Sequence, residues 1–519
     1  MPLVFDQSLL EFVERCALHF SEWPELREAA HQLRALAGTA PDPFRLAIVG
    51  RMKAGKSTLI NSMIGQPLAV TDVDEATATI NEFHFGDLDQ CGFFEVCWKD
   101  GLVEKFPLGQ LAADWTGKSE EVRERVRRTE NLRLFARAEK LREIIVVDTP
   151  GSSSVVEEHE AVIRAYLKES KPDAILFVIG IVRDTDKELL SLFGEGRIAP
   201  DPYNSLCALH LWDNLISTEP HESAARRAET LHQLIKEHIM AVLPVSGPLA
   251  LAARCLPDET FEKMAAVARD CGDKADFHYR LSRERYWNEP PFKDIVPDNK
   301  LLPKRSFMML MGGFVESPPA GAAEARAQCL AWSRVAELEK LLDRHFFANA
   351  MTIKQCQFLR RAGDLVEPAL RWLQQRAAEE TENGERADRA AEVLRDPELK
   401  RWAEQAGIRS RKASEHLSEL GRCLSREWSR ISLLLDSLRA DLQVLRALHD
   451  PEEEFPAEHH RVIRLVCSNS HGDLPCLDEV QTLINFYRRA ERTAIESGTR
   501  DMFRHLVRRL ERYGVRSRS

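Results

Sequence analysis

The residues best placed to do chemistry are a lysine and a hydroxyl behind a glycine loop. Gly50-Arg51-Met52-Lys53-Ala54-Gly55-Lys56-Ser57-Thr58 fits the spacing G-x-x-x-x-G-K-[ST]. In that pattern the backbone N–H groups from Lys53 through Thr58 curl around phosphates, and a helix N-terminus adds partial positive charge. Lys56 would reach the β- and γ-phosphates, and Ser57 would hold Mg²⁺. Gly50 and Gly55 allow the backbone a close approach. A second acid stands about 90 residues on, in Val147-Asp148-Thr149-Pro150-Gly151. An aspartate at a strand end can reach the same Mg²⁺ through water, and the Gly151 N–H can sense the γ-phosphate.

These residues need a strand before each motif and a helix after the first. Residues 44–49 (FRLAIV) read as a short buried strand, and 57–64 (STLINSMI) as the start of an apolar-faced helix. Further strands are expected at 79–85, 93–98, 103–106, 131–137, 144–147, 174–179, 206–211 and 242–245, with helices at 117–130, 157–170, 184–192 and 223–240. The alternation predicts a mainly parallel, doubly wound α/β sheet. Residues 252–320 mix charged helical pieces with prolines and read as an elaboration of that domain. From residue 324 the pattern is helical, with helices expected at 324–347, 351–380, 385–394, 397–448, 456–468 and 477–513. The stretch 397–448 suits a stalk or bundle. Apolar residues at helical spacing before residue 39, interrupted at Pro24, also need a partner surface.

The chain has 519 residues, too many for one ordinary core, with 44% hydrophobic and 30% charged residues. A net charge of -10 argues against a general nucleic-acid binder. Eleven cysteines without a C-x-x-C pair suit a reducing cytosol. Cys467, His471 and Cys476, near His459 and His460, match no usual zinc spacing. The first residues lack the basic start and apolar core of a signal peptide, and no run of about 18 apolar residues occurs. The expectation is a cytoplasmic protein, with peripheral contact at the inner face of the membrane as a second expectation.

The stretches 50–65 and 147–151, with the strand order around them, resemble the dynamin-like GTPases, especially bacterial ones. Residues 332–361 look like the helix that closes such a GTPase domain. The resemblance implies N-terminal helices at 1–39, a P-loop GTPase domain at 40–350 and a helical bundle or stalk at 351–519. It implies GTP as substrate, Mg²⁺ as cofactor, and a homodimer or a hetero-oligomer with another dynamin-like protein. By motif, the switch threonine would be Thr77, with Thr79 as the alternative. The family's proline before it is missing here. The base-reading motif N/T-K-x-D falls on His210-Leu211-Trp212-Asp213, where only Asp213 survives to read guanine. Ser246 occupies the place of the last, S-A-K-like motif. Position 152 is serine where small GTPases place a water-positioning glutamine. Lys53 could supply the missing positive charge, or be a solvated lysine.

Three functions fit. One is GTP hydrolysis driving dimerisation and movement of a helical arm. The second is a nucleotide-gated scaffold with poor turnover in a hetero-complex. The third is a P-loop ATPase, left open by the altered base motif. Nothing between 351 and 519 resembles an inserting apolar tip. From Phe486 onward there are ten arginines against four acids, a net of +6. That segment would pack on a bundle or contact an anionic membrane weakly.

Overall fold

The computed structural model describes residues 5–50, 54–69, 79–115, 119–149, 172–180, 204–210, 220–236, 238–297, 301–448, 455–467, 477–494 and 497–516. It divides into two compact units. One holds residues 43–348, the other residues 1–42 with 349–519.

The first unit is built on a nine-stranded sheet. Its strands are β1 (Phe44–Gly50), β2 (Ile80–Phe85), β3 (Phe93–Trp98), β4 (Val103–Pro107), β5 (Thr129–Ala136), β6 (Ile144–Asp148), β7 (Ala174–Gly180), β8 (Ser205–His210) and β9 (Val242–Val245). They lie in the order β4-β3-β5-β2-β6-β1-β7-β8-β9. The block from β6 through β9 is parallel throughout. Its strands are continuous apolar runs, as a sheet covered on both faces requires; β6 and β8 are buried at every residue. Beyond β6 the sheet becomes mixed. β2 runs antiparallel to β6 and parallel to β5, while β3 is antiparallel to both β4 and β5. The expected α/β class with a mainly parallel sheet is therefore found, with an antiparallel extension at one edge.

Helices Gly247–Cys255, Asp258–Arg269, Lys274–Leu281, Lys304–Glu316 and Ala322–Ser333 pack on the parallel block. Phe261, Phe292, Phe307, Met311 and Phe314 share one core with Val147 and Phe177. The single helix expected over 324–347 is two, Ala322–Ser333 and Val335–His345, because Arg334 between them takes a left-handed φ of 55°. The helices expected at 157–170 and 184–192 lie outside the described residues.

The second unit is helical. Its main feature is an antiparallel pair, Ala350–Val393 (44 residues) and Pro397–Ala447 (51 residues). Asp396 starts the second member by accepting from the N–H groups of Glu398 and Leu399. The sequence suggested a break near residues 381–384, but the first helix runs through. The Thr381 hydroxyl bonds the Ala377 carbonyl and Ser414, and Gly384 lets the Gly407 carbonyl come within 3.6 Å of where a side chain would begin. Tertiary packing there outweighs the local turn signal. The N-terminal helices Gln7–Ser21 and Arg27–Gly38 complete the bundle. Phe5 packs edge-on to Phe358, Phe12 stacks on Trp428, and Trp23 meets Trp372. Helices His460–Cys467, Leu477–Thr493 and Ser497–Arg516 close the far end around a second core that includes Ile463, Tyr487 and Leu506. The expected helix over 477–513 is thus two. Among the described residues no helix is long and apolar enough to cross a membrane.

Trp428 ties three helices together. Its ring lies 3.0 Å from where a Cβ on Gly363 would stand and stacks on Phe12. Replacing it with alanine leaves a ring-sized hole, so Trp428→Ala should cost about 3–5 kcal/mol of stability in the helical unit. Urea unfolding followed by far-UV circular dichroism measures this. A change below about 1 kcal/mol would mean that the three helices do not depend on this ring.

Candidate phosphate site

Two parallel strands set the level of the site. β1 is flanked by β6 and β7, and in the β1/β6 register Ile48 faces Asp148. The Asp148 carboxylate therefore leaves the sheet where the chain turns into the loop after Gly50. Thr149 fixes this level, because its N–H and its Oγ1 both donate to the Ile48 carbonyl, at 3.3 and 2.9 Å. At Gly50 a Cβ would stand 2.3 Å from the Val178 carbonyl oxygen. Only glycine lets β1 run that close to β7 as it enters the loop.

The loop ends at Gly55, which takes φ +90° and stands as the N-cap of helix Lys56–Ile64. No side chain caps that end. Its leading N–H groups, on Lys56, Ser57 and Thr58, lack i−4 carbonyl partners of their own helix and are available to an anion. Ala54 is buried at the loop's base, while Ser57 and Thr58 are partly exposed.

The Lys56 ammonium folds back and donates to the Gly50 carbonyl at 3.0 Å. Burial pushes its pKa down, and the nearby Asp148 charge pulls it up. Asp148 is 3% exposed; burial raises its pKa, opposed by Lys56 and by the Ser57 hydrogen bond. The Ser57 hydroxyl donates to Asp148 Oδ2 at 2.8 Å. Asp148 Oδ1 is buried and has no hydrogen-bond partner among the described residues. A hydroxyl and a carboxylate with one open oxygen, beside an anion-binding helix end, fit the hard oxygen donors Mg²⁺ takes with a phosphate.

The sequence pointed to Ser246 as a contact, but its side chain is committed elsewhere. It is wholly buried, its hydroxyl caps helix Gly247–Cys255 by accepting from Leu249 N–H, and its N–H bonds the Ser333 carbonyl. Thr79 is likewise buried, with its hydroxyl on Asn81 just ahead of β2. Lys53, Thr77, Gly151 and Asp213 lie outside the described residues.

The residue that sequence reasoning undervalued is His210, where the base motif would have its asparagine. It ends β8 fully buried. The Gly247 N–H donates to its Nε2 at 3.0 Å, so the ring proton sits on Nδ1. On its other side the ring fills the space beside Gly55, where a Cβ would stand 2.3 Å from Nδ1 and Cε1. One imidazole thus braces the phosphate loop against the start of helix Gly247–Cys255. The only sequence signal was a polar residue closing an otherwise apolar strand at a motif position.

Burial holds His210 neutral, pushing its pKa from 6.5 down to about 4, with the Ala54 backbone acting weakly against it. The unfolded chain therefore binds a proton that the folded chain refuses as pH falls from about 6.5 to 4. Stability rises with pH across that window and is fully present above it. At pH 5 this one group should cost about 2 kcal/mol relative to neutral pH. His210→Asn should remove that part of the pH dependence, seen as a smaller shift of the urea midpoint between pH 7.5 and 5. An unchanged shift would mean that the ring is not held neutral.

The family model described as Dynamin family matches residues 46–195. Among curated proteins, Isoniazid-induced protein IniC of Mycobacterium tuberculosis is 29% identical over 252 residues, covering 46% of this chain and 49% of that protein. An uncharacterized protein in the xynA 3' region of Caldicellulosiruptor sp. is 22% identical over 247 residues, covering 46% of this chain and 58% of that protein. The chain thus spans about half the length of the curated relatives it matches. Among solved structures, a chain of an oligomerised bacterial dynamin pair, described as a mechanism for the long-range sensing and tethering of membranes, is 14% identical. It covers 98% of this chain and 74% of that one, with a TM-score of 0.35. The family match opens inside β1 and takes in the glycine loop, the helix behind it and Asp148, the residues whose geometry makes the site, and over residues 46–195 the chain is similar to the dynamin family.

Proposed function

We propose that this chain binds and hydrolyses GTP with Mg²⁺. The observation that carries this reading is the buried Lys56 ammonium, parked on the Gly50 carbonyl beside the Ser57–Asp148 pair at an uncapped helix N-terminus. An incoming triphosphate offers that ammonium a charged partner in place of a neutral carbonyl. Ser57 and Asp148 would hold the metal, which when bound neutralises charge on the β- and γ-phosphates. The chain's own part is positioning. The N–H groups of Ala54 through Thr58 orient the phosphates, and His210 braces the loop against the start of helix Gly247–Cys255. Phosphoryl transfer needs this placement and charge neutralisation more than covalent help.

By the resemblance, Thr77 would close over the metal, Gly151 would sense the γ-phosphate, Lys53 would add a cation and Asp213 would read the base. Nucleotide-dependent dimerisation and movement of the helical unit belong to the same reading. A second reading, a nucleotide-gated scaffold with slow turnover, is favoured by the imidazole of His210 at the position of the motif's asparagine.

Lys56→Met keeps the length of the stem and deletes the charge. It should weaken GTP binding on the order of a hundredfold, the worth of one or two charge-assisted hydrogen bonds. Calorimetric titration of GTP, GDP and ATP with and without Mg²⁺ measures this, and unchanged affinity would sink the phosphate-site reading. Asp213→Asn should lower GTP affinity and raise relative affinity for xanthine nucleotide, because the variant presents the inverted donor–acceptor pattern. If GTP binding is equal in that variant, Asp213 does not read the base. Turnover of GTP near zero with tight binding would select the scaffold.

A further inference from the structure

The helical unit contains a cavity of about 620 Å³ between helices Pro397–Ala447 and Ser497–Arg516. Each helix contributes one stripe at i, i+3, i+4, i+7 spacing, so each lining set lies on a single helix face. The first stripe is Arg430, Leu433, Leu434 and Ser437; the second is His505, Arg508, Arg509 and Arg512. One side carries His505 and three arginines, and the other sets Leu433 and Leu434 among Arg430, Asp436 and Ser437.

The cationic stripe is anchored from below. Asp441, 1% exposed, takes the His505 Nε2 at 2.8 Å and lies 2.9 Å from Arg509 Nε. Arg509 also donates to the Val466 carbonyl at 3.1 Å. Asp441 therefore offsets the charge of Arg509 and fixes the pitch of the stripe. Arg430, Arg508 and Arg512 are exposed, and among the described residues none has a carboxylate within ion-pair distance. One turn away Arg504, outside the cavity, is held by both Glu491 and Asp501. Among the described residues Asp436 is the one acid that lines the cavity. The cavity thus keeps an excess of guanidinium groups.

The apolar side is open as well. Leu433 is 67% exposed and stands at the cavity wall beside Leu434. Guanidinium forks match phosphate oxygens in pairs, and the volume is that of a small-molecule site. An inorganic anion would use the arginines and leave Leu433 in water; a phosphate carried beside a hydrocarbon group would use both.

We propose that this cavity binds a phosphate group attached to an apolar moiety, a phosphate ester of the kind carried by a phospholipid headgroup or by a soluble amphiphile. Phosphate oxygens lie on Arg430, Arg508 and Arg512, and the apolar part lies along Leu433 and Leu434. The assignment is independent of the nucleotide site, and the variants keep the two apart.

The test uses the full chain and two probes. Dihexanoyl phosphatidic acid, kept monomeric, is titrated by calorimetry; vesicles of phosphatidylglycerol, with phosphatidylcholine vesicles as control, are assayed by co-sedimentation. Arg508→Gln with Arg512→Gln should weaken the soluble probe at least tenfold, as should Leu433→Gln, while Lys56→Met leaves it unchanged. All of these side chains but Lys56 are exposed, and unchanged circular-dichroism melting checks that the variants stay folded. Salt should weaken binding. If phosphatidylglycerol vesicles pellet the wild type but not the double variant, the ligand is a bilayer lipid; if only the soluble probe binds, it is a free ester. No binding of either probe to the wild type, equal binding by the arginine variants, or loss in Lys56→Met alone overturns the proposal.

Discussion

The first unit depends on how one buried lysine is tolerated. Taking an ammonium out of water is costly, and burial depresses the pKa of Lys56 as it raises that of Asp148. Two groups pushed toward neutrality from opposite sides steady each other only while they stay close. Lys56 opens the loop helix and Asp148 ends β6, so their separation is set by the β1/β6 register and not by either side chain. A slip of one residue in that register would turn Asp148 to the other face of the sheet. The two hydrogen bonds that Thr149 donates to the Ile48 carbonyl guard against it.

The sheet serves the loop in a second way. A loop that wraps an anion must keep its N–H groups unpaired internally, which removes the usual source of loop stability. The structure offsets this from outside. Gly50 brings the loop's first residue against Val178 of β7, Gly55 takes a left-handed turn, and the His210 ring fills the space beside it. Asn61 holds the chain that leaves the helix, accepting from the N–H groups of Leu68 and Ala69 and donating to the Ala69 carbonyl. The loop is therefore positioned by neighbours on β7, on β8 and on the helix after β9, and those strands are parallel and end on the same side.

What could be read in advance follows from the same physics. Residues 44–49, 144–147 and 174–179 announced themselves as uninterrupted apolar runs because both faces of the sheet are covered. Gly50, Gly55, Lys56 and Ser57 were legible because the spacing is dictated by phosphate geometry. Helix Pro397–Ala447 was legible because its period holds for 51 residues. The run-on of helix Ala350–Val393 was not, since Thr381 and Gly384 read locally as a turn and are reconciled with a helix only by Ser414 and Gly407 on the neighbouring helix. The break at Arg334 was equally hidden: it is a non-glycine residue in a left-handed conformation that no local pattern signals. His210 showed as a departure from a motif, and its bracing role appears only when Gly55 and Gly247 come to either side of the ring.

The two units handle buried charge differently, and the difference bears on what each can do. In the helical unit the two basic side chains against Asp441, His505 and Arg509, come from one helix a turn apart and keep 17–18% exposure. That arrangement is a strut: the carboxylate locks helix Ser497–Arg516 to its neighbour, and partial exposure to solvent lowers the cost of the Arg509 charge. At the phosphate site Lys56 and Asp148 are both almost wholly enclosed, each in the other's field, with a backbone carbonyl and a hydroxyl among their partners. Neutral supports can be given up for an ionic partner at little cost, whereas charged ones cannot. The strut is therefore suited to holding shape, and the enclosed pair, with neutral groups among its partners, to exchanging them.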